Sequence, residues 1–473
     1  MMSGADDRMA PRVSLDTVPD PIHFMGIGGA GMYALAELFL RRGRRVTGCD
    51  LKESTAVRRL RGLGAEVSIG HDAAHVQGAG AVVMTAAVPA DHPELVAARA
   101  EGIPVWKRAE ALGAVVNKGR VVAVAGTHGK TSTTALTVGV RATAGMDPTG
   151  FVGGRVAAWD GNLRPGGDLF VVEADEYDRS FHQLEPDLAV VTNLEADHLD
   201  IYGSLEGVRD AFMTFLNGLR PDGRAIVCAD DPGAASLLPE LGSTGYSYGT
   251  SAGSNLRALE IEYGPEGTSF RVQEDENDCG TAQLSLPGRH SLLNALAAGA
   301  VARQLGATWE SIRAGWAGAR GVERRFERLG EVDGVLVIDD YAHHPTEITA
   351  TLATARAAFP GRRVVAAFQP HLYSRTRDFA REFGGSLAQA DEVWLTAIFP
   401  AREQPIDGVT HSLITDSIRA AGGVVREHPD LDTLAAAMDE GVRSGDVVIL
   451  MGAGSIERVG AELVGLLRGR VHA

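Results

Sequence analysis

Along nearly the whole chain, short apolar runs rich in β-branched residues alternate with longer stretches rich in alanine and leucine. Runs such as "IHFMGI", "AVVMTAAV", "RVVAVAG", "LFVVEA", "LAVVTN", "GVLVIDD", "RVVAAF" and "DVVILMGAG" are apolar without alternation, as strands covered by helices on both faces require. The pattern predicts an α/β protein with mostly parallel sheets. Three blocks are expected: residues 1–117, beginning with a loose polar tail over 1–19, then 118–322, then 323–473. The stretch 245–287 breaks the rhythm with glycine turns and alternating polarity, and predicts added antiparallel strands.

Composition narrows the function. A net charge of −16 argues against nucleic acid or an anionic membrane as partner, because both call for a basic face. No apolar run reaches membrane-spanning length, and the first residues lack the apolar core of a signal peptide. Three widely spaced cysteines, Cys49, Cys228 and Cys279, fit a reducing compartment, so a cytoplasmic protein is expected. Lysine occurs only at 52, 107, 118 and 130, which leaves Lys130 as the sole lysine from residue 119 onward.

Three regions carry candidate chemistry. In "HFMGIGGAGM", Gly26, Gly28 and Gly31 match G-x-G-x-x-G between a strand and a helix, and Asp50 ends the next strand. Such a turn lets backbone N–H groups approach a diphosphate, though close strand–helix packing alone would also explain it. Taken alone, it would read as a nicotinamide oxidoreductase. The second region, "GTHGKTSTT", is a phosphate cradle with unusual spacing: the usual P-loop needs a glycine where Val124 stands. Gly126, Thr127, His128, Gly129, Lys130, Thr131 and Ser132 would surround phosphates, with the Thr131 hydroxyl on Mg²⁺. Downstream, Glu173 ends an apolar strand, where a carboxylate has little reason to be without a cation. Asp175, Glu176 and Asp178 read as solvated loop charges. Asn193, Glu195, Asp197 and His198 follow another strand, and His198 suggests a second metal site. Asn294, near the start of a small-residue helix, reads either as a nucleotide contact or as a local cap. The third region comprises two polar bursts at strand ends, "DDYAHHPTE" and "QPHLYSRTRDF", which predict an active-site wall on two neighbouring strands.

These residues together resemble the Mur ligases, ATP-dependent amide-bond formers of peptidoglycan precursor synthesis. The resemblance runs from about residue 20 to near the end and rests on "GTHGKT", "EADEYDRSF", "TNLEADHLD" and "DDYAHHPTE" in that order. It implies three domains: a Rossmann-like N-terminal domain for a UDP-sugar, a central P-loop-type ATPase, and a Rossmann-like C-terminal domain that closes on the site. It places Gly26, Gly28, Gly29, Gly31, Met32, Asp50 and His71 at the UDP-sugar, and adds Asn294, Arg325 and Asp340 to the ATP site. Metal ligands fall on Thr131, Glu173 and His198, two Mg²⁺ ions being implied, and the phosphate lysine on Lys130. Tyr341, His343, His371 and Arg375 correspond to residues near the amino acid and the sugar carboxylate, and Lys130, Glu173, His198, Arg325, Asp340, His343 and Arg375 to the catalytic set.

"GIGGAGM", "QPHLYSRTRDF" and the absence of lysine from 199–220 fit the branch that joins L-alanine to UDP-N-acetylmuramate. The chain departs from the family pattern at Ser291, Ala342 and Leu372, where asparagine, glycine and arginine are usual. The nearest rival is a ligase that attaches a recycled murein tripeptide to the same sugar. A nicotinamide oxidoreductase leaves Lys130, Glu173 and His198 unexplained, and a non-catalytic nucleotide binder leaves the third region idle.

Overall fold

The computed structural model describes residues 17–85, 88–401 and 403–472. Of the expected tail, 1–16 lie outside the described residues. The remainder is not loose: Val18 is buried and its carbonyl accepts a hydrogen bond from Arg44 at 2.8 Å. The chain divides into two compact units, Met1–Ser247 and Tyr248–Ala473, and the division falls inside a strand.

The first unit holds an all-parallel five-stranded sheet of β1 (Ile22–Met25), β2 (Val46–Asp50), β3 (Glu66–Ile69), β4 (Ala81–Met84) and β5 (Val105–Lys107). Its order is β3-β2-β1-β4-β5, so the chain reverses direction across the sheet between β1 and β4. The glycine-rich turn follows β1 at that switch point, where open α/β sheets bind ligands. Farther along lie β6 (Arg120–Ala125), β7 (Thr149–Val156), β8 (Gly161–Arg164), β9 (Leu169–Glu173), β10 (Leu188–Val191) and β11 (Arg224–Cys228). They are ordered β11-β10-β6-β9-β7-β8, parallel except for the β7–β8 hairpin. The lysine loop therefore leaves β6 between the ends of β9 and β10, the strands that deliver Glu173 and the His198 loop.

Strand β12 (Gly245–Gly249) straddles the division. In the second unit, β13 (Leu256–Gly264), β14 (Gly267–Glu274) and β15 (Asn277–Leu284) form the expected antiparallel addition. A further sheet contains β16 (Glu327–Val332), β17 (Val335–Asp340), β18 (Val364–Phe368), β19 (Glu392–Leu395), β20 (Val425–Glu427) and β21 (Val447–Met451). Its order is β16-β17-β21-β18-β19-β20, with only β16 antiparallel. Successive side chains of its strands enter opposite cores: Leu336, Ile338, Ala366, Phe368 and Ile449 on one face, Val335, Val337, Val365, Ala367 and Val448 on the other. That two-sided burial is why these strands read as unbroken apolar runs. The two polar bursts follow β17 and β18, which are not neighbours as expected, because β21 lies between them.

Candidate active site

The lysine loop is shaped by what crowds it. Gly126 has φ +137° and a Cβ there would collide with the Thr192 hydroxyl, while Gly129 turns into helix Lys130–Thr143 at φ +83°. Thr192 Oγ donates to the His128 carbonyl at 2.6 Å, and Asn193 accepts from the His128 amide at 2.7 Å. Thr127 Oγ accepts from the Glu195 amide at 3.0 Å. The loop is thus pinned to the end of β10 from both sides.

Lys130 points back across the turn. Its ammonium donates to the Gly126 carbonyl at 2.6 Å and to Glu176, with Nζ–Oε2 at 2.8 Å. Glu176 is buried, which corrects its reading as a solvated charge; Asp178 does pair at the surface, with Lys107 at 2.8 Å. Burial is the largest influence on Lys130 and pulls its pKa down, but Glu176, Asp175 and Glu173 outweigh it and hold the pKa above the ordinary value. Burial pushes Glu176 up, against the pull of Lys130.

Glu173, at the end of β9, accepts hydrogen bonds from the Gly153 amide and the Thr131 hydroxyl, yet burial still raises its pKa. A half-buried carboxylate beside a hydroxyl is a hard-oxygen pair suited to Mg²⁺, and a cation there would offset the desolvation of Glu173. The structure brings Lys130, Thr131 and Glu173 together. His198 stands in the left-handed region at φ +52°, its ring 5.3 Å from that of Tyr177 and its Nε2 3.8 Å from Asp197. Among the described residues, His198 does not form a three-ligand cluster with Glu173; two groups of histidine, cysteine and carboxylate donors in the first unit share Glu94 instead.

At the first glycine turn, Asp50 accepts from the Gly28 amide at 2.8 Å, so the acid secures the loop itself. A Cβ on Gly28 would meet that carboxylate, and one on Gly31 would meet the Arg108 side chain. Gly29 is the N-cap of helix Ala30–Arg41, and the Met32 side chain is buried within that helix's packing face. His71 follows β3 and lies 3.3 Å from Cys49 Sγ.

In the second unit, helix Arg289–Gln304 is capped by Gly288, so Asn294, buried and six residues in, is not a cap. Asp340 accepts from the Phe326 and Ala342 amides, each at 2.8 Å, and burial raises its pKa to about 6 against the pull of Arg325. Arg325 lies 5.1 Å over the Tyr341 ring and 3.5 Å from Glu347. His343 and His371 approach to 6.0 Å between ring centres. Burial, then His343 and Arg375, lower the His371 pKa to about 4, which leaves the ring neutral. Tyr341, His343 and His371 therefore share one edge despite the intervening strand. Sequence reasoning missed the loop after β21: the Gly452 carbonyl accepts from Arg324 at 2.6 Å, and Gln369 accepts from the Ile456 amide at 3.1 Å. Its signal was the "MGAGS" that ends an apolar strand. A cleft of about 850 Å³ in this unit is lined by Arg289, His290, Thr346 and Thr354.

Three family models cover most of the chain: "Mur ligase family, catalytic domain" over 21–120, "Mur ligase middle domain" over 124–302, and "Mur ligase, glutamate ligase domain" over 324–454. The chain belongs to the Mur ligase family. Among its relatives, the UDP-N-acetylmuramate–L-alanine ligase of Solidesulfovibrio magneticus is 46% identical over 95% of this chain and 98% of its own length. The enzyme of that name from Anaeromyxobacter is 45% identical over 95% and 98%. Among solved structures, UDP-N-acetylmuramate–alanine ligase from Thermotoga maritima aligns with a TM-score of 0.81 at 30% identity, over 96% of this chain and 99% of that one. A murein peptide ligase from Psychrobacter arcticus aligns at 0.68 and 26%, over 94% and 98%.

The departures from the Mur ligase pattern have local accounts at two positions. Ala342 is fully buried in the apolar core, so its methyl is accommodated there. Leu372 adopts φ +71°, a strained conformation for a branched side chain, and its amide bonds the Phe399 carbonyl at 3.0 Å. Ser291 is buried on the helix that carries Asn294.

Proposed function

We propose that this Mur ligase joins L-alanine to the carboxylate of UDP-N-acetylmuramate, driven by ATP through an acyl phosphate, in peptidoglycan precursor synthesis. The observation that carries the reading is the buried Lys130–Glu176 pair beside Glu173 in a shortened loop. A full-length 46% identical relative bearing that activity supports it. Residues 1–117, 118–322 and 323–473 serve as UDP-sugar, ATP and closing domains.

A carboxylate is a poor electrophile, so the γ-phosphoryl group is first transferred to it. The L-alanine amine then attacks the acyl carbon; a C–N bond forms, the tetrahedral intermediate collapses, and phosphate leaves. Alignment and charge neutralisation are the protein's main contributions. Lys130 exchanges part of its contact with Glu176 for phosphate oxygens, and the amides of Gly126–Ser132 cradle the rest. Thr131 and Glu173 would hold Mg²⁺, with His198 serving a second ion; such ions lessen the repulsion between phosphate and carboxylate. Asn294, Arg325 and Asp340 complete the nucleotide site. Tyr341, His343, His371 and Arg375 receive the amino acid and sugar carboxylate. Gly26, Gly28, Gly29, Gly31, Asp50 and His71 bind the UDP-sugar, and Met32 does so through its backbone, since its side chain is buried. Among the described residues no helix is long and apolar enough to cross a membrane, and a cytoplasmic site of action is part of this reading.

The test is acceptor choice. With ATP, Mg²⁺ and UDP-N-acetylmuramate, phosphate release is expected with L-alanine, and more weakly with glycine, since one methyl is worth about 1–3 kcal/mol. D-Glutamate should give little, because its extra carboxylate would be desolvated without a partner. Preference for the murein tripeptide would move the protein to the recycling branch, and nicotinamide reduction without phosphate release would overturn the ligase reading.

A further inference from the structure

The first sheet carries a cluster of which the ligase reading uses only His71, leaving His23, Cys49 and Glu94 without a role. At its carboxyl edge, four elements converge on Glu94, in the first turn of helix Pro93–Ala100 and fully buried. Cys49 at the end of β2 places its sulfur 3.1 Å from Glu94 Oε2 and 3.3 Å from Nδ1 of His71, in the loop after β3. His71 Nδ1 is in turn 3.4 Å from Glu94 Oε1. His23 on β1 is 1% exposed, and its Nε2 has no hydrogen-bond partner and stands 3.9 Å from Glu94 Oε2. The donor atoms of His23, Cys49 and Glu94 all lie within 4.8 Å of one another.

We propose that His23, Cys49, His71 and Glu94 form a binding site for a zinc-like divalent transition-metal ion. A tetrahedral zinc ion, with Zn–N of about 2.0 Å and Zn–S of about 2.3 Å, holds its donors roughly 3.3–3.6 Å apart. Cys49 Sγ already stands near that range from Glu94 Oε2, at 3.1 Å, and from His71 Nδ1, at 3.3 Å, whereas His71 is 3.4 Å from the other carboxylate oxygen and His23 Nε2 is 3.9 Å from Oε2, so both imidazoles must swing inward on binding. Thiolate and imidazole favour zinc or cobalt over magnesium, whose preference is for oxygen, so this site and the Thr131–Glu173 pair select different ions. On binding, the Cys49 S–H proton leaves for solvent and an S–metal bond replaces the S–H bond. A dication with one thiolate and one carboxylate is then neutral, as a buried centre requires. His75 Nδ1, 3.0 Å from Glu94 Oε1, and the Asp72 amide, 3.1 Å from the same oxygen, hold the carboxylate in place from outside the donor set. Four protein donors leave no open position, so the ion fastens β1, β2, the β3 loop and the helix rather than performing chemistry.

Cobalt(II) reads the site directly. The full chain, stripped with chelator and titrated with Co²⁺ alone, is expected to bind one equivalent and to show a sulfur-to-cobalt charge-transfer band with visible bands of tetrahedral intensity. Cys49→Ser should abolish the charge-transfer band, while Cys228→Ser, Cys279→Ser and Glu173→Gln keep it. Glu94→Gln should weaken binding by about tenfold or more. Since Cys49→Ser and Glu94→Gln alter a buried cluster, circular dichroism and the wild-type titration accompany them. A wild-type chain with no such band at stoichiometric Co²⁺, or a band lost in Cys228→Ser or Cys279→Ser instead, would overturn the proposal.

Discussion

At Lys130 a buried ammonium meets the Glu176 carboxylate at 2.8 Å, with its pKa held up, whereas at Asp339 and Asp340 buried carboxyls are raised to about 6 and His371 is lowered to about 4. In the first region the ammonium stays charged and paired, although burial also raises Glu173 and Glu176. The second moves toward neutrality by shifting protons, even with Arg324 and Arg325 at hand. The difference follows from what each arginine or lysine faces. Lys130 has two backbone carbonyls and a carboxylate converging on it, while Arg324 divides its donors among Asp339, Glu457 and the Gly452 carbonyl. A paired cation can trade one anion for another at little electrostatic cost, which suits a phosphate site; a proton-shifted edge is sensitive to pH instead.

The sharpest way to break this contrast is Lys130→Ala. Turnover should fall by about 10³-fold or more, with UDP-sugar binding nearly intact. Removing one partner of a buried pair should also lower stability by about 3–5 kcal/mol. Lys130→Ala combined with Glu176→Gln should recover melting temperature and not activity; recovery of neither would show that the pair is not what stabilises the loop. Next in size, His198→Ala should reduce kcat by up to about 10²-fold while ATP affinity changes less. Loss of ATP binding alone, read by calorimetry, would remove His198 from the second metal.

The proton-shifted edge has its own test. Asp339 has a folded pKa of about 6 against an ordinary 3.8, so between those values the folded chain holds a proton that the unfolded chain has lost. Its contribution to stability is therefore complete below about pH 4 and lost as pH rises through about 6. Asp339→Asn removes that slope, and its melting temperature should gain on the wild type between pH 4 and 7. A parallel pair of pH profiles would show that Arg324 neutralises the carboxylate fully. The smallest expected effect is at Ser291→Asn, which should fold, retain activity and change ATP affinity by less than about threefold, or about 0.6 kcal/mol.

The sequence made much of this legible, for identifiable reasons. Apolar runs without alternation could only be doubly covered strands, and a lysine followed by hydroxyls at a strand-to-helix junction has few uses. Glu176 was misread because its burial depends on the turn of 177–183, which no local pattern encodes. Strand order was hidden for a related reason: nothing in β17 or β18 records that β21, about a hundred residues on, hydrogen-bonds to both. Asp50 matched the fingerprint spacing, yet its bond to Gly28 is a matter of side-chain direction rather than spacing. The cluster around Glu94 was out of reach altogether, since its members span residues 23 to 94 and meet only at the sheet edge.

The strand lying between β17 and β18 also works as a ruler. Parallel strands repeat at about 4.8 Å, so the loops after β17 and β18 are separated by two repeats, roughly 10 Å, a distance set by backbone hydrogen bonds. No substitution in either loop can change that interval. Side chains can only trim it, as His343 and His371 do by closing to 6.0 Å between rings. The gauge of the edge is thus divided into a fixed part owned by the sheet and an adjustable part owned by two histidines.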